Sequence, residues 1–252
     1  MCLILFAFKV HPTYKLIVAA NRDEYYARPT AAAHFWEDEP QILAGRDLEK
    51  LGTWMGVTKT GRFAALTNYR DPKENATSKQ TRGELVAGFL KSDEKPEEYL
   101  QKAALQAKMY PGYNLLVGDG EELYYYSNIQ NEIKKLEPGI YGVSNHLLNT
   151  NWPKVKSGKE GLSAISDQKN NNLTDELFKL LQNTDQAPDD FLPNTGVSLE
   201  WERILSPLFI KSEGYGTRSS TVLLMNGSDM TYTEKVFSAN KVSRQQFKIE
   251  FS

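Results

Sequence analysis

Cys2 is the residue whose type and position most directly suggest chemistry. Initiator methionine is usually removed when the second residue is as small as cysteine, and the mature chain then carries a thiol and a free α-amine on one residue. An α-amine of pKa about 7.7–8.0 has the right strength to accept a thiol proton near neutral pH. Nucleophiles activated by their own amino terminus are an established arrangement. The bland reading of the same residue is a small buried thiol opening a core strand. A second feature is Ala19-Ala20-Asn21-Arg22-Asp23-Glu24, where four hydrogen-bonding side chains follow an apolar run abruptly. They read either as a solvated strand exit or as the rim of a pocket beside Cys2. In extended backbone Asn21 and Asp23 face one way and Arg22 the other, so the four cannot all address the thiol unless the chain turns within them.

The elements that must position these residues start with a hairpin. Leu3–Phe8 and Tyr14–Ala20 are apolar runs flanking turn chemistry at 9–13, so the end of the second strand returns to the start of the first. Further strand pairs are expected at 53–58 with 62–67, 114–118 with 122–127, 133–136 with 140–144, and 219–225 with 230–236. Their turns are Lys59-Thr60-Gly61, Asp119-Gly120, Glu137-Pro138-Gly139 and Asn226-Gly227. Helices are expected behind a capping box at Thr81–Glu84, from Pro96, over 152–165, over 175–181 capped by Thr174, and over 199–205 capped by Ser198. The polar stretch 166–172 reads as a loop. Antiparallel hairpins interrupted by two helix clusters fit an α+β protein, read as one domain over 1–252.

Composition narrows the partners. Lys+Arg is 30 against Asp+Glu 32, a net charge of −2, which argues against a nucleic-acid binder or a membrane-surface protein. No stretch approaches the 20 or so apolar residues of a transmembrane helix. One cysteine excludes an internal disulfide and suits a reducing compartment. A soluble cytoplasmic protein is therefore expected, with the sequons at Asn75, Asn172 and Asn226 incidental. Three histidines and one cysteine are too few for a structural zinc site, and no phosphate-binding glycine pattern follows a strand. No cofactor is expected. His146 is a candidate dyad partner for the thiol, though a histidine at a strand end is more often packed or solvated. Trp54, Tyr69 and Tyr124–Tyr126 read as core and strand-face residues.

Several separate stretches, in order, resemble the NRDE-motif family, also called the Transport and Golgi Organisation family. They are Met1-Cys2, Asn21-Arg22-Asp23-Glu24, Arg28-Pro29, Ala44-Gly45-Arg46-Asp47, Gly52-Thr53-Trp54, Leu66-Thr67-Asn68-Tyr69-Arg70, Tyr113-Asn114-Leu115, Gly142–His146 and Gly216–Ser220. The resemblance spans the chain and implies an N-terminal-nucleophile hydrolase-like fold, a four-layer αββα sandwich. A more distant likeness is to cysteine acylases of the choloylglycine and penicillin V type. It implies Cys2 as nucleophile, Asp23 (or Asn21) holding the α-amine, Asn68 and Asn145 as oxyanion donors, and Arg22 and Arg218 shaping charge around the thiol. Those acylases separate their Arg and Asp by two residues, whereas Arg22 and Asp23 are adjacent. The expected activity is hydrolysis of an amide bond in a small acylated molecule through an acyl-thioester. The rival implied by the family is a non-enzymatic protein handling haem or a lipid or acyl-CoA ligand on the same fold.

Overall fold

The first apolar run shows no alternation because both of its faces are covered. In the computed structural model, which describes residues 2–74, 79–167, 172–238 and 241–251, β1 (Cys2–Phe8) sends Leu3, Leu5 and Ala7 toward helices. It sends Ile4, Phe6 and Phe8 into the space between two sheets. Its hairpin partner β2 (Leu16–Tyr25) divides in the same way, with Ile17 and Ala19 facing helices and Leu16, Val18 and Ala20 facing the other sheet. Burying such a Leu, Ile or Phe side chain is worth about 1.5–3 kcal/mol, so the central layer is the principal source of cohesion.

The chain continues through β3 (Thr30–Phe35), β4 (Ile42–Asp47), β5 (Met55–Thr58), β6 (Phe63–Asn68), α1 (Gly83–Lys91) and α2 (Pro96–Leu105). Then follow β7 (Tyr113–Gly118), β8 (Leu123–Ser127), β9 (Glu132–Lys135), β10 (Gly139–Val143), α3 (Pro153–Ser166), α4 (Leu173–Leu181) and α5 (Leu199–Ile204). The last strands are β11 (Tyr215–Met225), β12 (Asp229–Ser238) and β13 (Lys241–Glu250). One antiparallel sheet runs β10-β1-β2-β11-β12-β13 and the other β3-β4-β5-β6-β7-β8-β9. Helices α1 and α2 cover the second sheet, and α3 and α4 cover the first. The result is the expected αββα sandwich of N-terminal-nucleophile hydrolase type. No helix among the described residues is long and apolar enough to cross a membrane.

The differences from expectation have identifiable causes. β2 does not end at Ala20 but runs to Tyr25, because it lies between β1, which pairs it as far as Arg22, and β11, which pairs it to Tyr25. Strands β3, β4 and β13 escape a pattern reading: β3 is half-exposed, Gly45 interrupts β4, and β13 is largely exposed and polar. The capping box does not form. Helix α1 begins at Gly83, and Glu84 accepts from the Tyr110 hydroxyl (2.6 Å) rather than closing the box. Helix α4 starts one residue before Thr174, with Asn172 at its cap position. Ser198 does cap α5, accepting from the Trp201 amide. Gly61 has φ of 85°, as the three-residue turn between β5 and β6 requires. Of the loop expected over 166–172, Ser166 closes α3 and residues 168–171 lie outside the described set, as do Met1 and the sequon at Asn75.

Candidate active site

The antiparallel register sets Cys2 directly opposite Arg22, so both side chains emerge on the inter-sheet face. There the Arg22 guanidinium sits over the Trp54 ring, with Cζ 4.2 Å from the centroid. Its closest ion pair is a loose one with Glu24 at 3.7 Å. Arg22 is 5% exposed, and its Nη1 has no hydrogen-bond partner among the described residues. A buried guanidinium N–H left in this state is uncommon and marks a place where water or a ligand group belongs. Cys2, Arg22, Glu24, Trp54, Asn68 and Arg82 line a cavity of about 150 Å³ that opens beside the Arg28–Asp47 pair. Arg28 clamps Asp47 through Nε at 2.9 Å and Nη2 at 2.6 Å.

Gly45 makes room for this arrangement. A Cβ there would collide with the Trp54 ring, reaching Cζ2 at 2.6 Å and coming closer still to Cη2. Gly45→Ala is therefore expected to displace Trp54 and lose its stacking on Arg22. Such overpacking costs about 1–3 kcal/mol, and thermal unfolding together with tryptophan fluorescence checks it.

Asn21 and Asp23 take the opposite face of β2, as strand alternation requires. Asn21 is fully committed as a brace. Its Nδ2 donates to the carbonyls of Leu181 (2.9 Å) and Leu208 (2.8 Å), and its Oδ1 accepts from Ser220 Oγ (2.6 Å). Asp23 is buried and accepts from Thr217 Oγ1 at 2.7 Å. Burial pushes its carboxyl above the ordinary range, opposed chiefly by the charge of Lys154. Burial also pushes the Cys2 thiol up; among the side chains around it, Asp23 adds to that rise and Arg22 opposes it. Cys2 is partly exposed as a residue and lines the cavity.

Asn68, at the last position of β6, lines the cavity from the second sheet. Asn145 is fully buried and does not line it. Its Nδ2 donates to the Asn68 carbonyl (2.9 Å), while Ser144 Oγ donates to the Cys2 carbonyl (3.0 Å). Residues 144–145 thus tie together the two strand ends that carry Cys2 and Asn68. Arg218 is carried elsewhere by a register shift between Thr217 and Ser219. Its Nη1 donates to the carbonyls of Tyr25, Tyr26 and Arg28. It borders a separate hollow of about 910 Å³ with Tyr26, Phe209 and Phe237. That hollow is larger than the Cys2 cavity but holds none of the grouped polar residues. Arg218 still reaches the site as charge, since it is among the cations that disfavour protonated Arg22. His146 packs between Tyr69 and Trp152, shares a hydrogen bond of 2.9 Å with Thr150 Oγ1 and does not line the Cys2 cavity.

Three site residues were not found by reading the sequence. Trp54 read as core, yet it is the platform under Arg22. Arg82 read as part of a cap, yet it lines the cavity and donates to the Gly112 carbonyl (3.0 Å). Lys154 sits behind the sheet, and a signal for it existed: positions 154, 158 and 162 share the buried stripe of α3, where a lysine is out of place. Among the described residues, no group of three or more His, Cys, Asp or Glu side chains is arranged to hold a metal ion.

With this geometry in hand, comparison with known proteins is informative. A solved structure of a Caenorhabditis elegans N-acylethanolamine-hydrolyzing acid amidase ortholog superposes with a TM-score of 0.54 at 10% identity. The match covers 88% of this chain and 92% of that one, a similarity of fold alone. The chain is 37% identical over 260 residues to the Transport and Golgi organization protein 2 homolog of Bos taurus, covering 93% of this chain and 92% of the relative. It is 29% identical over 258 residues to Transport and Golgi organization protein 2 of Drosophila melanogaster, covering 91% and 89%. The family model described as Transport and Golgi organisation 2 matches residues 1–239, and the chain belongs to that family.

Proposed function

We propose that the protein is an amidohydrolase that cleaves a small acylated amide through Cys2 once Met1 has been removed. The observation that carries this reading is the Cys2 cavity itself, lined from two sheets by Cys2, by Arg22 with an unmet guanidinium donor and by Asn68. The freed α-amine takes the thiol proton as sulfur attacks the carbonyl carbon, and Asp23 holds that amine. The oxyanion is stabilised by the Asn68 amide, which Asn145 braces through the Asn68 carbonyl. Removing one such donor typically costs about 10²–10³ in rate. As the tetrahedral intermediate collapses, the C–N bond breaks and the leaving amine receives the proton, leaving an acyl-thioester. Water then adds to the thioester with the α-amine as base, releasing the acid and restoring the thiol. A cavity of about 150 Å³ suits a small group at the cleaved bond.

Intact mass of the protein purified from its native source, followed by amine-release assays on a panel of N-acyl amides, tests the proposal. The expected results are loss of the methionine mass and a covalent acyl adduct on Cys2 in acid-quenched reactions. Retained methionine defeats the mechanism, because the Cys2 nitrogen is then an amide without basicity. The base must be unprotonated to act, so kcat/KM is expected to rise with pH through an α-amine ionisation near pH 7–8. A rate that is flat or falling across that window argues against the α-amine as base.

A further inference from the structure

Arg22, Arg28 and Arg82 all line the Cys2 cavity, and they are unequally matched with acids. Arg28 is occupied: Asp47 Oδ2 accepts from its Nε and Nη2, and Glu49 lies 3.2 Å from its Nη1. The other Asp47 oxygen accepts the amides of Glu49 and Lys50 at 2.9 and 3.3 Å. Glu24 accepts the Tyr25 amide at 2.9 Å through one oxygen and keeps its loose contact with Arg22 through the other. Asp23 carries its side chain to the opposite face of β2, onto Thr217. Arg22 is 5% exposed, with Nη1 lacking a hydrogen-bond partner among the described residues. Arg82 joins no ion pair among the described residues, and its Nη1 donates to a neutral group, the Gly112 carbonyl.

The start of α1 belongs to the same cavity. Thr81, Arg82 and Gly83 line it, Gly83 opens the nine-residue helix, and no side chain caps that end. An uncapped helix start favours negative charge beside it. A buried guanidinium donor without an acceptor, a second guanidinium outside any ion pair and a helix start thus meet around one small space. These are the surroundings of an oxyanion, and guanidinium groups suit the planar, two-oxygen geometry of a carboxylate. One unmatched cation also answers a single negative charge, where a phosphate group brings about two.

We propose that Arg22, Arg82 and the start of α1 form an anion subsite within the Cys2 cavity, which selects amides bearing a carboxylate a few bonds from the cleaved C–N bond. The whole cavity is about 150 Å³, so the anion and the attacked carbonyl share it and no long spacer separates them. An acylated amino acid carries such a group on its amine half, and the half-amide of a short diacid carries it on its acyl half. That such a ligand is a substrate rests on the amidohydrolase reading, whereas carboxylate binding does not.

Acids compared with their neutral counterparts test this. N-butyrylglycine against N-butyrylglycinamide varies the charge on the amine half, and N-ethylmalonamate against N-ethylmalonamide varies it on the acyl half. In Cys2→Ala, calorimetry is expected to show at least one acid binding about tenfold or more tighter than its amide. In Arg82→Gln on that background the ratio should fall toward one, with Arg82→Lys recovering part of it. An arginine that only supports the fold shifts acid and amide alike. In the unsubstituted protein, kcat/KM for release of butyrate or ethylamine should favour the same acid, a comparison that needs no variant to fold. The pair that discriminates shows which half carries the anion. Equal affinity within both pairs overturns the subsite, as does an acid preference untouched by Arg82→Gln. Selective binding without turnover defeats the hydrolase reading alone, whereas turnover without acid preference defeats the subsite alone.

Discussion

Cys2→Ala is expected to abolish amine release while the protein remains folded. Loss of the attacking atom from a covalent mechanism costs on the order of 10⁴–10⁶ in rate, which places any residual turnover below detection for an enzyme of ordinary speed. The stability change should be small, about 1 kcal/mol or less, because Cys2 is only partly buried and its strand is held by seven register positions to β2 and five to β10. Circular dichroism and thermal unfolding of the variant separate these two effects. Unchanged amine release would remove the nucleophile and with it the proposed mechanism. A Soret band on haem titration, insensitive to the same substitution, would support ligand handling instead.

Glu202→Ala should produce the largest loss of stability. Glu202 and Arg70 are almost completely buried, with side chains 4% and 7% exposed and Nη1–Oε2 at 2.9 Å. Glu202 Oε1 also accepts from the amide and hydroxyl of Thr195 at 2.9 and 2.6 Å. Removing the acid takes one member out of a buried ion pair, a change that costs about 3–5 kcal/mol. For a chain of this size that corresponds to a fall in Tm of roughly 10 °C. The double variant Arg70→Met/Glu202→Leu should be less destabilised than Glu202→Ala, because no charge is left stranded. Chemical denaturation of the three proteins checks the order. The effect should reach the site as well, since the Arg70 amide donates to the Asn145 carbonyl at 2.8 Å and Asn145 in turn holds Asn68.

Local chemistry was legible wherever a residue acts through its own neighbours. The turn at Lys59-Thr60-Gly61 needs a positive φ that glycine supplies, and Ser198 satisfies an amide three residues on. The apolar runs of β1 and β2 declared a dry interior by their lack of alternation. Local signals failed where a distant segment supplied the partner. The polar half of β2 looked like a strand exit because the groups that satisfy it lie far along the chain, at Leu181, Leu208, Thr217 and Ser220. Asn145 and Arg218 matched by motif as direct site residues; in the folded chain Asn145 Nδ2 donates to the Asn68 carbonyl and Arg218 Nη1 to three backbone carbonyls, contacts that no local pattern announces.

By itself, the sequence determined that a lone cysteine at position 2 opens an apolar strand, with an acid, an arginine and an amide on its hairpin partner. Covalent order and the two-residue period of a strand are enough for that, including the division of Arg22 from Asn21 and Asp23, while the register that puts Arg22 on the thiol's side belongs to the folded chain. Only the tertiary structure decided what surrounds them: Trp54 beneath Arg22, Asn68 across the cavity, and Lys154 buried on the helix that covers the first sheet. Those contacts join two sheets and a helix, and the burial they create shifts the thiol, the carboxyl and the lysine away from their ordinary ionisation. Desolvation and charge coupling depend on position in space, and separation along the chain does not encode them.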